Sequence, residues 1–545
     1  MSHRSLGHRA PLLWLVLPLI AGIAAGRYGP PLRPGWLLAG ALLVAVLATF
    51  AAWRAPRWWA LPLIATGLLA GDASYTLHRA HLTAGEVLPA REVRLGLRID
   101  RVFPQDDTRQ CAGLATIIRT ESHLSELARQ RIYFSVRRPG RAELPVRSMV
   151  ISVVGVLTPL PENPPGRSFD GYLADAGMNF RLGRGRMLAV EHPPTRYRQF
   201  CEHLAHRLNA ILSAGVASKR PELAALYRAM MLGQKHELNL EQNELFMHSG
   251  TMHLLAINGL HIGVVAAALH ALLLLARCPR PLVAGLTLAI LWLDVDATGA
   301  TPSAVRAWML VAAYEAGFAL RLPANGVASL AMAAFLVLLL DPMALFSASF
   351  QMSYGVVFAI LCFGLPLGER LAERWPPWPH LPEATWAWWQ RWIAAALREF
   401  WPVFGLGLAA WLVGAVTGAI FYRVFTPIGL VANLLLVPLA MIVITAGFAS
   451  IAVGLAGWTA ASVLFNHAAV LVLAVIEALI RLAQHVPGVW LPAEWRTPWW
   501  GTATLALLLA VVLAGYAGGW RGWSRGFWPP FAVVAVGLAV GVKFG

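Results

Sequence analysis

The chain has 545 residues, 58% of them apolar and only 13% charged. A soluble domain carries roughly 25% charge, so an ordinary cytosolic enzyme is excluded, and so is disorder, which needs low hydrophobicity and high charge. Forty-four Lys and Arg against 28 Asp and Glu leave +16, which points to an anionic partner: lipid headgroups, nucleic acid or an acidic substrate.

Apolar runs at 11–26, 35–53 and 58–77 predict three membrane helices close together. The first reads as a retained span, since no small-x-small cleavage signal leads into a soluble chain. From Glu86 to Arg198 the runs shrink to strand length, at 94–102, 114–119, 131–137 and 146–157, separated by Pro, Gly and Asp. That pattern predicts a small β-barrel or sandwich inserted between membrane segments. Residues 197–249 are too charged to span. Leu204, Leu208, Ile211 and Leu212, then Leu223, Leu226, Met230 and Met231, recur at the spacing of amphipathic helices. Ten further apolar runs follow: 251–276, 282–298, 303–320, 323–340, 347–368, 403–422, 428–457, 460–484, 501–517 and 529–543. The stretch 428–457, with Pro438 inside it, is read as kinked, broken or re-entrant.

Basic residues in short loops set the orientation. Arg4, Arg9, Arg54, Arg57, Arg277, Arg280, Arg370, Arg374, Arg391, Arg398, Arg521 and Arg525 share one side if the N-terminus is cytoplasmic. The β domain, Asp294, Asp296 and the C-terminus then face outward, with Arg27 and Arg33 outvoted. Trp386, Trp388, Trp389 and Trp392, and again Trp495, Trp499 and Trp500, read as an aromatic belt at the lipid boundary.

No G-x-x-x-x-G-K-[ST] sequence occurs, and the three lysines, Lys219, Lys235 and Lys543, lie outside Gly-rich loops, which excludes P-loop ATP hydrolysis. H-E-x-x-H and C-x-x-C are absent too, so neither metal nor cofactor is expected. The most unusual stretch is His248-Ser-Gly-Thr-Met-His253-Leu-Leu-Ala-Ile-Asn258-Gly259-Leu-His261-Ile-Gly263, which puts polar groups at a helix entrance, where they are costly unless they face protein or water. Asn258 and His261 share a helical face, and Gly250, Gly259 and Gly263 allow close approach of a neighbouring backbone. These groups either line a passage or glue helices by hydrogen bonds.

A second constellation is Thr298-Gly-Ala-Thr301-Pro302-Ser-Ala-Val-Arg306, with Thr301 as N-cap and Pro302 as first helical residue. Arg306 then sits one turn into the membrane near an electropositive helix end, where it either meets a phosphate or pairs with Asp294 or Asp296. Gln351, Ser353 and Asn433 are further polar interruptions. The region 86–198 holds 18 Arg and no Lys against 12 acidic residues, a net of +6. Arg98, Arg101, Arg131, Arg137 and Arg138 are the candidate DNA-binding residues, with Phe103, Tyr133, Phe134 and Phe180 as stacking surfaces. The alternative is a solvated spacer whose aromatics are core.

In this order the motifs resemble the ComEC family of competence DNA-uptake channels over nearly the whole chain. His253-Leu-Leu-Ala-Ile-Asn-Gly-Leu-His-Ile262 resembles the signature H-L-L-A-I-S-G-L-H-I. Asn163-Pro-Pro-Gly-Arg-Ser-Phe169-Asp170-Gly-Tyr172-Leu resembles N-P-G-x-F-D-x-x-x-Y-L, which makes Phe169, Asp170 and Tyr172 a structural motif. Gly299 to Ala307, Phe350-Gln351 and Ala432-Asn433 to Pro438 resemble further blocks. Position 258 departs from the family Ser, which puts a role for that hydroxyl in doubt. Many members carry a C-terminal metallo-β-lactamase-like domain. The sequence runs to Gly545 directly after an apolar run with no metal-binding cluster, so the expectation is either a separate nuclease or a truncated or shortened member.

The resemblance implies a polytopic α-helical membrane protein of about 11–13 transmembrane helices with an inserted, extracytoplasmic OB-like β-barrel. The expected division is 1–80 N-terminal transmembrane helices, 86–192 OB-like domain, 196–249 amphipathic helices and 250–545 channel domain. Cys111 and Cys201 both fall on the outer side, and the resemblance favours a disulfide in that region. The expected function is a non-enzymatic channel of the bacterial inner membrane. It passes single-stranded DNA to the cytoplasm through His253, Asn258, Gly259, His261, Arg306, Gln351 and Asn433. A cytoplasmic helicase-type ATPase would pull, a periplasmic DNA receptor would deliver duplex, membrane lipid surrounds the bundle, and a homo-oligomer is allowed. The runner-up is an intramembrane enzyme acting on a lipid-linked or peptide substrate, with His253 and His261 as acid–base groups and Ser249 as the available nucleophile. A small-anion secondary transporter would show internal repeats, and none is evident.

Overall fold

The computed structural model describes residues 10–30, 32–54, 58–80, 89–103, 109–139, 145–161, 168–255, 259–520 and 526–544. Every apolar run of the sequence becomes a helix, because a backbone in hydrocarbon must satisfy its own hydrogen bonds. The first three are α1 (Leu13–Tyr28), α2 (Pro34–Arg54) and α3 (Ala60–Ala80). Small residues let α1 and α3 touch backbone to backbone: a Cβ on Gly71 would lie 2.3 Å from the carbonyl oxygen of Leu19.

Strands β1 (Arg91–Phe103), β2 (Gln110–Arg119), β3 (Arg131–Arg137), β4 (Val150–Pro159) and β5 (Phe180–His192) form a closed barrel in the order β1-β2-β3-β5-β4, with β3 and β5 parallel. This is a five-stranded barrel of the OB type. Val93, Leu95, Leu97, Ile99, Phe134 and Phe180 fill its interior. The strand β5 escapes the sequence reading because Gly183, Gly185 and alternating arginines interrupt its β-formers, yet Phe180, Leu182 and Met187 still point inward. Helix α4 (Phe169–Asp175), capped by Ser168, lies over the outside of the barrel, with Leu173 and Met178 against Leu114.

Next come α5 (Arg196–Ser213), α6 (Pro221–Leu232) and α7 (Leu240–His248). The amphipathic α5 buries Cys201, Leu208 and Leu212, whereas α6 is buried along most of its length. The remaining bundle comprises α8 (Gly259–Leu275), α9 (Arg280–Ala297), α10 (Pro302–Ala319), α11 (Gly326–Leu340), α12 (Ala348–Arg374), α13 (Trp388–Phe421), α14 (Gly429–Leu455), α15 (Thr459–Gln484), α16 (Pro498–Ala517) and α17 (Pro529–Gly541).

Among the described residues, α2, α12, α13, α14, α15 and α16 are long and apolar enough to cross a membrane, and α1, α8, α11 and α17 are shorter apolar helices. Helices α3, α9 and α10 carry Asp72, Asp294 with Asp296, and Arg306 with Glu315. Helix α12 widens by a π turn at Ile360–Gly364.

Two expectations change. Helix α14 runs unbroken through Pro438, neither broken nor re-entrant, with Leu436, Ala440 and Val443 buried against its neighbours. The Trp-rich segment is the start of α13, where Trp388 and Trp392 are exposed as a belt requires, while Trp386 and Trp495 are buried. Three short strands, β6 (Val424–Phe425), β7 (Leu491–Trp495) and β8 (Val542–Phe544), join the loops at one end of the bundle.

Candidate translocation site

Between α7 and α8 the chain reverses at Gly250 (φ 72°), where a Cβ would meet Thr426 Oγ1 at 2.7 Å. Only glycine allows that turn to seat against the loop before α14. The hydroxyls of Ser249 and Thr251 are hydrogen-bonded at 2.6 Å, and Ser249 also donates to the Phe246 carbonyl at 3.0 Å. The 3₁₀ turn Met252–Leu255 buries Leu254 and Leu255 beneath α6, α14 and α15 and leaves His253 exposed, its Nδ1 3.3 Å from the Gly250 carbonyl. Lys235, on the turn Lys235–Glu237, acts electrostatically on His253, and burial pushes the Lys235 ammonium below the ordinary lysine range.

His261, 2% exposed on the first turn of α8, lies within electrostatic reach of His253. The two histidines are thus brought together. Gly259 opens α8 with empty space where a side chain would stand. Asn258 lies outside the described residues.

Beyond His261, residues Ile262, Val265 and Ala266 of α8 pack with Ala304 and Ala307 of α10. Thr301 caps α10, accepting from Ala304 N at 3.4 Å, with Pro302 at the first helical position as the sequence indicates. Arg306 is 6% exposed. Its Nη2 donates to Ser349 Oγ, Asp341 and Tyr354 act on it electrostatically, and its Nε meets no acceptor among the described residues. Gln351, one turn along α12, donates to the Leu345 carbonyl at 3.2 Å. Asn433 stands on α14, its Oδ1 without a hydrogen-bond partner among the described residues. The sequence-derived residues therefore form two groups, the histidine turn flanked by α14 and the Arg306 pocket between α10 and α12. No direct contact joins Gln351 or Asn433 to the histidines among the described hydrogen bonds.

Asp296 does not neutralise Arg306. Its carboxylate is fully buried and accepts from Arg147 of the barrel at 2.8 Å and from Arg198 of α5 at 2.5 Å. One side chain at the end of α9 thereby ties three segments together, and sequence reading missed it because neither arginine is near it in the chain. His270 Nδ1 and Glu315 Oε1, 2.7 Å apart between α8 and α10, form a second pair that was missed. The available signal was an ionisable residue inside each of two apolar runs.

On the barrel, Arg98 and Arg131 flank Asp100, each at 3.9 Å, and Thr116 donates to the same carboxylate at 2.6 Å. Arg101 lies over the Phe103 ring at 5.5 Å. Arg137 is exposed at the end of β3, and the backbone N–H of Arg138 donates to the Arg109 carbonyl. Phe134 and Phe180 cannot stack on a ligand, because both are sealed inside the barrel. Phe103 and Tyr133 stay at the surface and meet Phe169 and Tyr172, with successive ring centroids 6.2, 4.9 and 6.0 Å apart. Asp170 pairs with Arg181 at 3.1 Å. Cys111 and Cys201 are free thiols here: Cys111 is packed in the barrel core and Cys201 is buried on α5, so the expected bridge is not formed.

The family model described as Competence protein matches residues 230–517, a range that contains the histidine turn, Arg306, Gln351 and Asn433. ComE operon protein 3 of Bacillus subtilis (strain 168) is 30% identical over 141 residues, which cover 26% of this chain and 18% of that protein. No solved structure matches. With more than half of its length matched, the chain belongs to the Competence protein family, that of the ComEC-type proteins.

Proposed function

We propose that this protein is an inner-membrane channel passing single-stranded DNA into the cytoplasm during natural transformation. The observation that carries the reading is Arg306, a buried guanidinium in an apolar bundle with a donor left over. A buried charge with a donor left unmet is expensive, and a passing phosphate supplies the missing acceptor. The arginine-rich barrel is the outward capture surface, the N-terminus is cytoplasmic, and His253, Asn258, Gly259, His261, Gln351 and Asn433 line the way in.

With the cell interior negative, each phosphate moved inward costs about 2.3 kcal/mol per 100 mV. A long strand must therefore be pulled, and no NTPase motif is present in the sequence. A cytoplasmic helicase-type ATPase is the motor in this reading, and a periplasmic receptor delivers duplex.

The intramembrane-enzyme alternative has less support, because Ser249 is engaged with Thr251 and the Phe246 carbonyl and His253 with the Gly250 carbonyl. The direct test is crosslinking a translocating strand to cysteines placed at Asn258 and at Ser349, whose hydroxyl meets the retained Arg306. Adducts during active uptake are expected at both positions, and their absence there overturns the channel. Deletion is expected to abolish transformation while leaving DNA binding at the cell surface intact.

A further inference from the structure

We infer that Phe103, Tyr133, Phe169 and Tyr172 form a stacking platform for the bases of single-stranded DNA on the barrel's outer face, beside the membrane bundle. This deepens the channel reading and rests on it for the identity of the strand. The register of the sheet builds the platform. Arg101 pairs with Leu114, Leu114 with Tyr133, and Tyr133 with Arg181, so one row crosses four strands with an arginine at each end and a tyrosine between. Helix α4 lies over this row, its Leu173 covering Leu114, and brings Phe169 edge-on to Tyr133 and Tyr172 behind it.

Phe169 is 48% and Tyr172 45% exposed. Aromatic groups so exposed gain little from folding, whereas a ring face beside guanidinium groups suits a base and its phosphate. Among the described acidic side chains nearby, Asp170 is held by Arg181 and Asp100 lies between Arg98 and Arg131, so the arginines outnumber them. The surrounding region is positive through arginine alone, at +6 over 86–198.

The platform also points somewhere. Helix α4 touches the turn Pro342–Phe346, which leads directly into Ser347 and the start of α12, where Ser349 holds Arg306. Gly177, just after α4, lies against His78 and Met343. A strand leaving the platform over α4 arrives at the segment that carries the Arg306 pocket.

The experiment uses the full chain in detergent and a short fluorescent oligothymidylate. Phe169→Leu and Tyr172→Leu keep apolar bulk and remove the ring. Each is expected to weaken binding about tenfold at fixed salt, with the slope of log K against log salt unchanged. Phe169→Trp should restore affinity. Arg101→Gln is expected instead to flatten that slope by about 0.7, the contribution of one phosphate contact to a single strand.

Wild-type affinity in both leucine variants overturns the platform. So does a photoreactive label at Phe169→Cys that reacts with lipid and never with the oligonucleotide, which would make these rings a membrane anchor. Strand adducts at Ser349→Cys, beside Arg306, with unchanged affinity in the leucine variants would sink the platform and spare the channel. The converse pair of results would spare the platform and sink the channel.

Discussion

In the proposed channel Arg306 carries two opposed loads, a cost to folding and a use in function. Replacing it with Met removes the buried charge and keeps the bulk. Arg306→Met should stabilise the protein by about 1–4 kcal/mol, read as a raised unfolding midpoint in detergent, while transformation is lost. The His270–Glu315 pair behaves in the opposite way. Glu315 is buried against His270, so Glu315→Ala takes away the ring's partner and should cost about 1–3 kcal/mol. Glu315→Gln keeps an acceptor oxygen and should cost visibly less in the same assay. At this scale the sequence was informative wherever a polar residue interrupts an apolar run, as His253, His261 and Arg306 do. It was silent on partners: Arg147 and Asp296 are 149 positions apart, and only the fold brings them together. The same limit explains why Phe134 and Tyr133, adjacent in sequence, were both offered as stacking rings although strand alternation sends one into the barrel and the other out.

Among the elements, the barrel and the bundle meet at α9 and at α4. Asp296→Ala leaves Arg147 and Arg198 with no shared carboxylate, and the docking of the barrel is expected to loosen without unfolding it. Hydrogen exchange should rise in α5 and at the end of α9, while β1 to β5 stay protected by their closed ladder. Equal protection throughout in the variant would show that α4 alone suffices to dock the barrel. Helix positions were legible because thirteen hydrophobic stretches each exceed strand length. Element ends were less so. Helix α13 starts well before its apolar run because Trp388, Trp389 and Trp392 continue the helix into the interface. The strands β6 and β8 are two and three residues long, too short to leave a periodic trace.

Taken whole, the molecule is a bundle of interrupted apolar helices with one basic domain standing beside it. If it conducts strands without a motor of its own, protein reconstituted in vesicles should let a labelled oligonucleotide equilibrate at zero potential. An inside-negative potential should exclude the oligonucleotide and an inside-positive one concentrate it, since about 2.3 kcal/mol per charge accrues for each 100 mV. Entry that ignores the sign of the potential would contradict passive conduction. The overall architecture was readable from composition and run lengths alone, whereas the closeness of the platform to the Arg306 pocket depends on how α4 and α12 pack, which no local pattern encodes.

The Asp296 carboxylate has a mechanical consequence. A polymer hauled from one end puts its anchoring surface under tension, and here part of that tension would pass from the barrel to the bundle through Arg147, which shares one Asp296 oxygen with Arg198 of α5. Such a joint resists steady sliding yet gives way under load, so in the proposed channel the identity of residue 296 would help set how hard a strand can be tugged before the barrel shifts on the bundle.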